Sequence, residues 1–258
     1  MELAFNEKFF RHINAGYIKE GKSPSKIFGL AEKLINFKII NFLLSLFEYT
    51  LGFILALPIP LYSTLIYLFI TNYPGSPGFI GMYLRSVYYR RKLKKMESNV
   101  LIDQNVFIAY PEKTELKEFS YIDKNVTIMS KSCLVGRRVH IAPRVLISGG
   151  GDFEIEDYAC IATGSNIITS TEVLKDGARC SGPMVDPSQR NVFRGKVLIK
   201  KDAFIGANVT VLPGVVVAEG SVAGAGITLS KNTEPWGVYL GSKTSQVSTR
   251  HPVKGEDN

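Results

Sequence analysis

The feature that most constrains this chain is a spacing. Ile199, Ile205, Val211, Val217, Ala223 and Leu229 follow one another at intervals of six residues. The same step recurs upstream in shorter runs: Ile102 and Ile108; Leu116, Ile122, Ile128 and Leu134; Ile141 and Ile147; Ile155, Ile161 and Ile167. These 17 aliphatic or alanine positions keep phase except at four places. One or two residues are added at 108–116, 134–141 and 147–155, and a long excursion separates Ile167 from Ile199. A period of six fits neither the ~3.6 of an amphipathic helix nor an alternation of two. It fits a triangular solenoid in which each hexad forms one short strand and a corner, and three hexads complete a turn. Successive rungs then pair in parallel ladders about 4.8 Å apart. Small residues such as Gly206-Ala207 and Gly224-Ala225 suit the corners, where bulk would clash.

The region ahead of the repeat is of another kind. From Tyr49 to Leu84 there is no charged residue, a run of 36, and its centre reads LGFILALPIPLYSTLIYLFI from Leu51 to Ile70. It lies too far into the chain, and is too long, for a secretory signal. One helical pass needs ~20 apolar residues, so length alone permits a span. Pro58 and Pro60 in its middle remove two amide donors and hold Leu57 and Ile59 extended, which argues for a re-entrant hairpin over about 39–70. Lys26, Lys33 and Lys38 precede the segment and Arg85, Arg90, Arg91, Lys92, Lys94 and Lys95 follow it. Cations on both flanks place both ends on the cytoplasmic side. Residues 79–96 (FIGMYLRSVYYRRKLKKM) read as a basic amphipathic helix at headgroup level.

The charge follows the apolar segment. Residues 1–97 hold 13 Lys/Arg against 6 Asp/Glu, and residues 98–258 hold 18 against 17, so +7 of the net +8 lies ahead of the repeat. A nucleic-acid binder would carry its cations on the folded domain; anionic lipid headgroups fit this distribution better. A hydrophobic content of 45% excludes a disordered chain. The three cysteines, Cys133, Cys160 and Cys180, form neither a CxxC pair nor an even framework, which points to a reducing compartment and no metal site. The expected division is a helical membrane-associated region (1–97), a mainly β solenoid (98–232) with an excursion at 169–196, and a tail (233–258).

The run VLIKKDAFIGANVTVLPGVVVAEGSVAGAGITLSKNTEPWGVY, beginning at Val197 and ending at Tyr239, resembles the left-handed β-helix hexapeptide-repeat acyltransferases. In that family I-G-A-x-x-x-V-x-P-G-V precedes G-A-G-x-x-x-x-K. The resemblance spans about residues 98–245, and 196–231 is its most specific stretch. The resemblance implies acyl transfer from acyl-coenzyme A, acetyl-CoA being the expected co-substrate, to a sugar hydroxyl or amine, by a homotrimer. Ala207, Ala225, Ser230 and Lys231 align with the coenzyme A groove. The usual G-x-P-A-[KR] turn is replaced here by Gly241-Ser242-Lys243-Thr244.

Such a reaction needs a base for the acceptor's proton and donors for the oxyanion. Of the three histidines, His12 precedes the apolar segment, His251 lies in the tail, and His140 alone falls within the repeat, where it should project off the coil beside Ile141. An unperturbed imidazole pKa near ~6.5 suits a base at neutral pH. A corner histidine bonded to a neighbouring carbonyl is the structural alternative. In the galactoside acetyltransferase branch the base is a histidine in a T-G-H-P loop, and the matching position here is Glu172, in Thr169-Ser170-Thr171-Glu172. His140 is therefore expected as base and Glu172 as an orienting or acceptor-binding group, with the reverse assignment left open. The excursion, rich in Gly, Pro and charge (Lys175, Asp176, Arg179, Arg190, Arg194), suits a substrate cover or a trimer arm. Ser148-Gly149-Gly150-Gly151-Asp152 reads as a corner loop rather than a phosphate cradle, since no helix follows it. The expected function is acyl transfer to a free or lipid-linked sugar in cell-envelope polysaccharide or glycolipid assembly. The expected location is the cytoplasmic face of a membrane. The rival is a non-catalytic trimeric membrane scaffold for glycan-assembly enzymes.

Overall fold

The computed structural model describes residues 3–19, 22–73, 79–175, 178–180, 182–241 and 246–249. Asp176, Ser242, Lys243, Thr244 and His251 lie outside the described residues. From residue 95 onward the chain winds as a parallel β-solenoid with three faces. Face A stacks Lys95–Met96, Thr114–Leu116, Ser132–Val135, Asp152–Ile155, Val197–Ile199 and Val216–Val217. Face B stacks Leu101–Ile102, Tyr121–Ile122, His140–Ile141, Cys160–Ile161, Phe204–Ile205, Val222–Ala223 and Gly237–Tyr239. Face C stacks Phe107–Ile108, Thr127–Ile128, Leu146–Ser148, Asn166–Ile168, Thr210–Val211 and Thr228–Leu229. Face B thus runs beyond the expected end at residue 232, and Gln246–Thr249 adds to it antiparallel.

The hexad positions form the core. Ile122, Ile141, Ile147, Ile155, Ile161, Ile167, Ile199, Ile205, Val211, Val217 and Leu229 have no solvent exposure. A second buried row, two residues before the first, was not apparent from spacing because it mixes Val, Ala, Ser and Thr: Val100, Thr114, Ser120, Val126, Val139, Ala159, Ser165, Ala203, Val209 and Ser221. Three residues before each inward residue of faces B and C a left-handed residue turns the corner, Asn99, Asn105, Asn125, Gly164, Asn208 and Gly226 among them. Asn and Gly are the residues that enter this conformation at least cost, so the hexad carries its own turn.

One slip sits elsewhere than the spacing implies. Val135, not Leu134, is fully buried, and Leu134 is half-buried in the outer row of face A, paired with Glu154. The added residue lies between Ile128 and Val135. Two adjacent aliphatics cannot be told apart by period, and the ladder register decides which faces inward.

Ahead of the coil stand five helices: α1 (Glu7–Lys19), α2 (Lys26–Ile35), α3 (Lys38–Leu55), α4 (Pro60–Asn72) and α5 (Ile80–Lys92). The two prolines act as expected, for α3 ends at Leu55 and Pro60 opens α4 at a position where its missing amide costs nothing. Outward α3 and α4 are apolar, with Ile39, Phe42, Leu43, Phe47, Phe53, Leu61, Leu65, Leu68 and Phe69 exposed. Glu48, inside the first limb, accepts a hydrogen bond from the Ala4 amide at 2.7 Å.

The expectation for residues 79–96 is corrected. Helix α5 buries Arg85, Ser86, Val87, Tyr88 and Tyr89, and Lys95–Met96 is already a strand of face A. Its tyrosines face protein: the Tyr89 hydroxyl donates to the Val106 carbonyl at 3.1 Å and Ser86 donates to that of Val100 at 2.9 Å. The open end of a solenoid leaves apolar surface and strand edges unpaired, and α5 closes that end. Replacing Val135 by Asp buries an unpaired carboxylate and is expected to cost several kcal/mol, enough to unfold the coil. Leu134→Asp is expected to cost about 1 kcal/mol or less, read from urea denaturation.

Candidate active site

The stacking of rungs places residues distant in sequence side by side. On face B the outer row reads Leu101, Tyr121, His140, Cys160, Phe204, Val222 and Val238, each Cα-paired with the next. His140 therefore projects off the coil, as expected, with its side chain 42% exposed. Its ring lies nearly parallel to that of Tyr121, with 5.1 Å between centroids and 8° between planes.

The carboxylate beside His140 is one that sequence reasoning missed. Nε2 lies 3.3 Å from Asp123 Oδ2, while Asp123 Oδ1 accepts the Lys124 amide at 2.7 Å. A carboxylate only accepts, so a neutral ring making this contact carries its hydrogen on Nε2 and keeps the Nδ1 lone pair for a proton. The signal was in the repeat: Asp123 follows inward Ile122, His140 precedes inward Ile141, and the register pairs Ile122 with Ile141. Burial, with Asp103 and Asp123 beside it, pushes the Tyr121 hydroxyl well above its ordinary range, so it stays a donor.

Glu172 is placed elsewhere. It belongs to an antiparallel pair, Ser170–Glu172 with Val192–Arg194, at the base of the excursion that leaves face C after Ile168. Its Oε1 accepts from the Arg190 guanidinium, and no hydrogen bond or ion pair joins it to His140. Its Oε2 and Arg190 Nε are buried without partners. Within one chain Glu172 thus does not orient the imidazole. The Gly149–Gly151 run is a corner loop, as expected, packed under the excursion: a Cβ on Gly151 would lie 2.4 Å from the Thr169 carbonyl oxygen and 2.7 Å from that of Gly195.

The aligned cofactor positions border face C near the far end of the coil. Ala207 and Ala225 stack on successive rungs at the corner between faces B and C, with the Gly226 amide donating to the Ala207 carbonyl at 2.8 Å. A side chain on Gly206 could not fit there, since its Cβ would lie 2.8 Å from the Ala225 nitrogen. Ser230 and Lys231 are exposed across face C, at its corner with face A. That corner is pinned by Asn232 and Thr233, whose side chains accept the Val216 and Ala218 amides at 2.8 and 2.7 Å. His140 lies two and three rungs below the strands leading to Ala207 and Ala225, about 10 and 14 Å along the axis. Among the described residues no group of three His, Cys, Asp or Glu side chains is placed to hold a metal.

No family model matches the chain. It is 34% identical over 173 positions to the dTDP-4-amino-4,6-dideoxy-D-glucose acyltransferase of Escherichia coli, an alignment covering 55% of this chain and 90% of that protein. Among solved structures it is similar to a variant of AntD, an N-acyltransferase from Bacillus cereus, in complex with dTDP and coenzyme A. That match has a TM-score of 0.59 and 26% identity, over 63% of this chain and 87% of that one. A second AntD complex, with dTDP and 3-hydroxybutyryl-CoA, matches at 26% identity with a TM-score of 0.52, over 63% and 86% of the two chains. With this coverage and this fold, the chain belongs to the hexapeptide-repeat acyltransferases.

The cysteines offer a check on the geometry. Cys133 is fully buried and its thiol is pushed up to about 12 by burial; Cys160, beside His140, is raised by burial too; Cys180 is exposed. Thiolates are the reactive form. Iodoacetamide at pH 7.5 is therefore expected to modify Cys180 first, Cys160 slowly and Cys133 only after denaturation, read by peptide mass spectrometry.

Proposed function

We propose that this protein transfers an acyl group from acyl-coenzyme A to an amine or hydroxyl of a sugar, with His140 as general base, at the cytoplasmic face of a membrane. The observation that carries the reading is the His140–Asp123 pair on face B, below the small-residue corner of Ala207 and Ala225. An amino sugar joined to a nucleotide is the favoured acceptor, because that is the substrate named for the Escherichia coli relative. Free sugars and lipid-linked sugars of envelope polysaccharide or glycolipid assembly are the wider class.

In this reading Nδ1 of His140 takes the acceptor's proton as its oxygen or nitrogen attacks the thioester carbonyl carbon. The tetrahedral intermediate collapses with cleavage of the carbon–sulfur bond, and the imidazolium returns its proton to the leaving thiolate. Asp123 favours the imidazolium that forms between the two steps. The pantetheine arm runs along the solenoid axis past Ala225 and Ala207 toward His140, and Lys231 meets the phosphates. Glu172, paired with Arg190 on the excursion, is assigned to acceptor binding, and a homotrimer brings that arm to a neighbouring coil.

With acetyl-CoA and dTDP-4-amino-4,6-dideoxyglucose as probes, His140→Ala is expected to lower kcat by about 10²–10⁴-fold with the KM for acetyl-CoA nearly unchanged. Ala225→Phe is expected to raise that KM sharply. Full turnover by His140→Ala and none by Glu172→Gln would move the base to the excursion, and no transfer with any sugar acceptor would favour the scaffold.

The membrane part of the reading is supported by the exposed apolar residues of α3 and α4, a surface of the kind that marks an interaction site. Helix α3 is long and apolar enough to cross a bilayer, with 11% of its residues buried. The break at Pro58-Ile59-Pro60 and the cations on both flanks favour a hairpin that enters and leaves on one side. The full chain is expected to float with vesicles containing anionic lipid and, after exchange of the exposed Phe42, Phe47, Leu61 and Leu65 for serine, to remain in solution. Lys26→Cys and Lys94→Cys are expected to react with an impermeant maleimide from the same side, and labelling from opposite sides would make the hairpin a single span.

A further inference from the structure

The two carboxylates under His140 sit on successive rungs and need compensation. Asp103 and Asp123 follow the paired residues Ile102 and Ile122, and their side chains are 9% and 11% exposed. Like charges this close and this dry raise each other's cost unless cations or donors lie between them. A cation comes from the helical region. Arg85 of α5 has a side chain with no exposure, and its guanidinium lies 3.5 Å from Asp103 Oδ1. Three more of its hydrogens go to the carbonyls of Ile102 at 2.8 Å, Ile70 at 3.2 Å and Tyr73 at 2.6 Å. The other oxygen of Asp103 accepts the Tyr121 hydroxyl at 3.1 Å, and the Tyr121 ring is the one against which His140 lies. The column therefore reads Arg85, Asp103, Tyr121, Asp123 and His140, with the neutral Tyr121 hydroxyl standing between the two carboxylates.

We propose that Arg85, Asp103 and Tyr121 are positioning residues for His140, so that docking of α5 on the first rung is part of the active-site architecture. The proposal rests on the reading of His140 as base. Two groups hold the imidazole: the Tyr121 ring below it and the Asp123 carboxylate at its Nε2 edge. Tyr121 can serve as a platform only while its hydroxyl is anchored, and that anchor is Asp103, which Arg85 holds in its buried place. The column reaches from the end of the solenoid to the third rung of face B. It gives the helical region a role in the chemistry that membrane attachment alone would not require.

The test uses the full chain, labelled with ¹⁵N-histidine, at a pH where the imidazoles are neutral. The chain has three histidines, and the His140 signal is assigned by its loss in His140→Gln. The wild-type ring is expected to be predominantly the Nε2–H tautomer. Tyr121→Phe keeps the ring and removes its anchor, and Asp103→Asn keeps the shape and removes the charge. Each is expected to move the tautomer ratio toward that of free histidine and to lower kcat about tenfold, with the KM for acetyl-CoA unchanged. Wild-type tautomer ratios in both variants would overturn the proposal. If Asp103→Asn does not fold, Tyr121→Phe decides alone. A shifted tautomer with undiminished kcat would leave the column in place as an organiser of His140 and overturn the reading of His140 as the base.

Discussion

Everything in this protein hangs on a column of aliphatic side chains with no path to water. Each rung contributes three inward residues, and each inward residue touches its equivalents above and below through the parallel ladders. Such a column is stable only if the chain turns a corner after every few residues and if both ends are closed. The left-handed Asn and Gly residues provide many of the corners. Helix α5 closes one end of the coil, and the Gly237–Tyr239 strand with its antiparallel partner extends face B at the other. The burial of Arg85 follows from the first closure: a guanidinium set against the end of a solenoid is satisfied by one carbonyl of the first rung, two carbonyls at the end of α4 and one carboxylate.

The same geometry explains why the helical region divides into two surfaces. The inner surface is set by α5 and the end of α4, where Ile70 is 1% exposed and the Thr71 carbonyl accepts the Asn105 amide at 2.8 Å. The outer surface, carried by α3 and the rest of α4, presents Phe and Leu side chains that none of the described residues covers. A sequence reading that assigned all the apolar and basic residues to one lipid-facing module merged two roles. The cations of α5 largely serve the protein itself: Arg90 donates to Ser98, Arg91 stacks over the Tyr49 ring and Lys92 donates to the Ala56 carbonyl.

In the candidate site, function depends on neighbours that a coil creates and a linear reading hides. His140 meets Asp123 across 17 positions, and the Tyr121 hydroxyl meets Asp103 across 18. Each separation is two less than the local turn, 19 residues from Ile122 to Ile141 and 20 from Ile102 to Ile122, because the carboxylate follows one inward residue and its partner precedes the next. Residues on the excursion obey no such rule. Glu172 was a fair candidate by its place in the repeat, but the excursion leaves the coil before it, and its carboxylate turns to Arg190 on the returning strand.

How much the sequence determined can be stated residue by residue. The period of six, the inward aliphatics from Ile199 to Leu229 and the break at Pro58 to Pro60 were legible because each is a local requirement repeated or enforced by covalent geometry. The outward position of His140 was legible for the same reason, since it precedes an inward Ile. What only the tertiary structure decided is whatever depends on register. Leu134 and Val135 are equivalent as aliphatics until the ladder places one inside, and the partner of His140 is chosen by the rung below it. The fate of α5 is of the same kind: its sequence is compatible with a lipid surface and with the end of a coil, and the unpaired edge of the first rung, which exists only once the solenoid has formed, takes it.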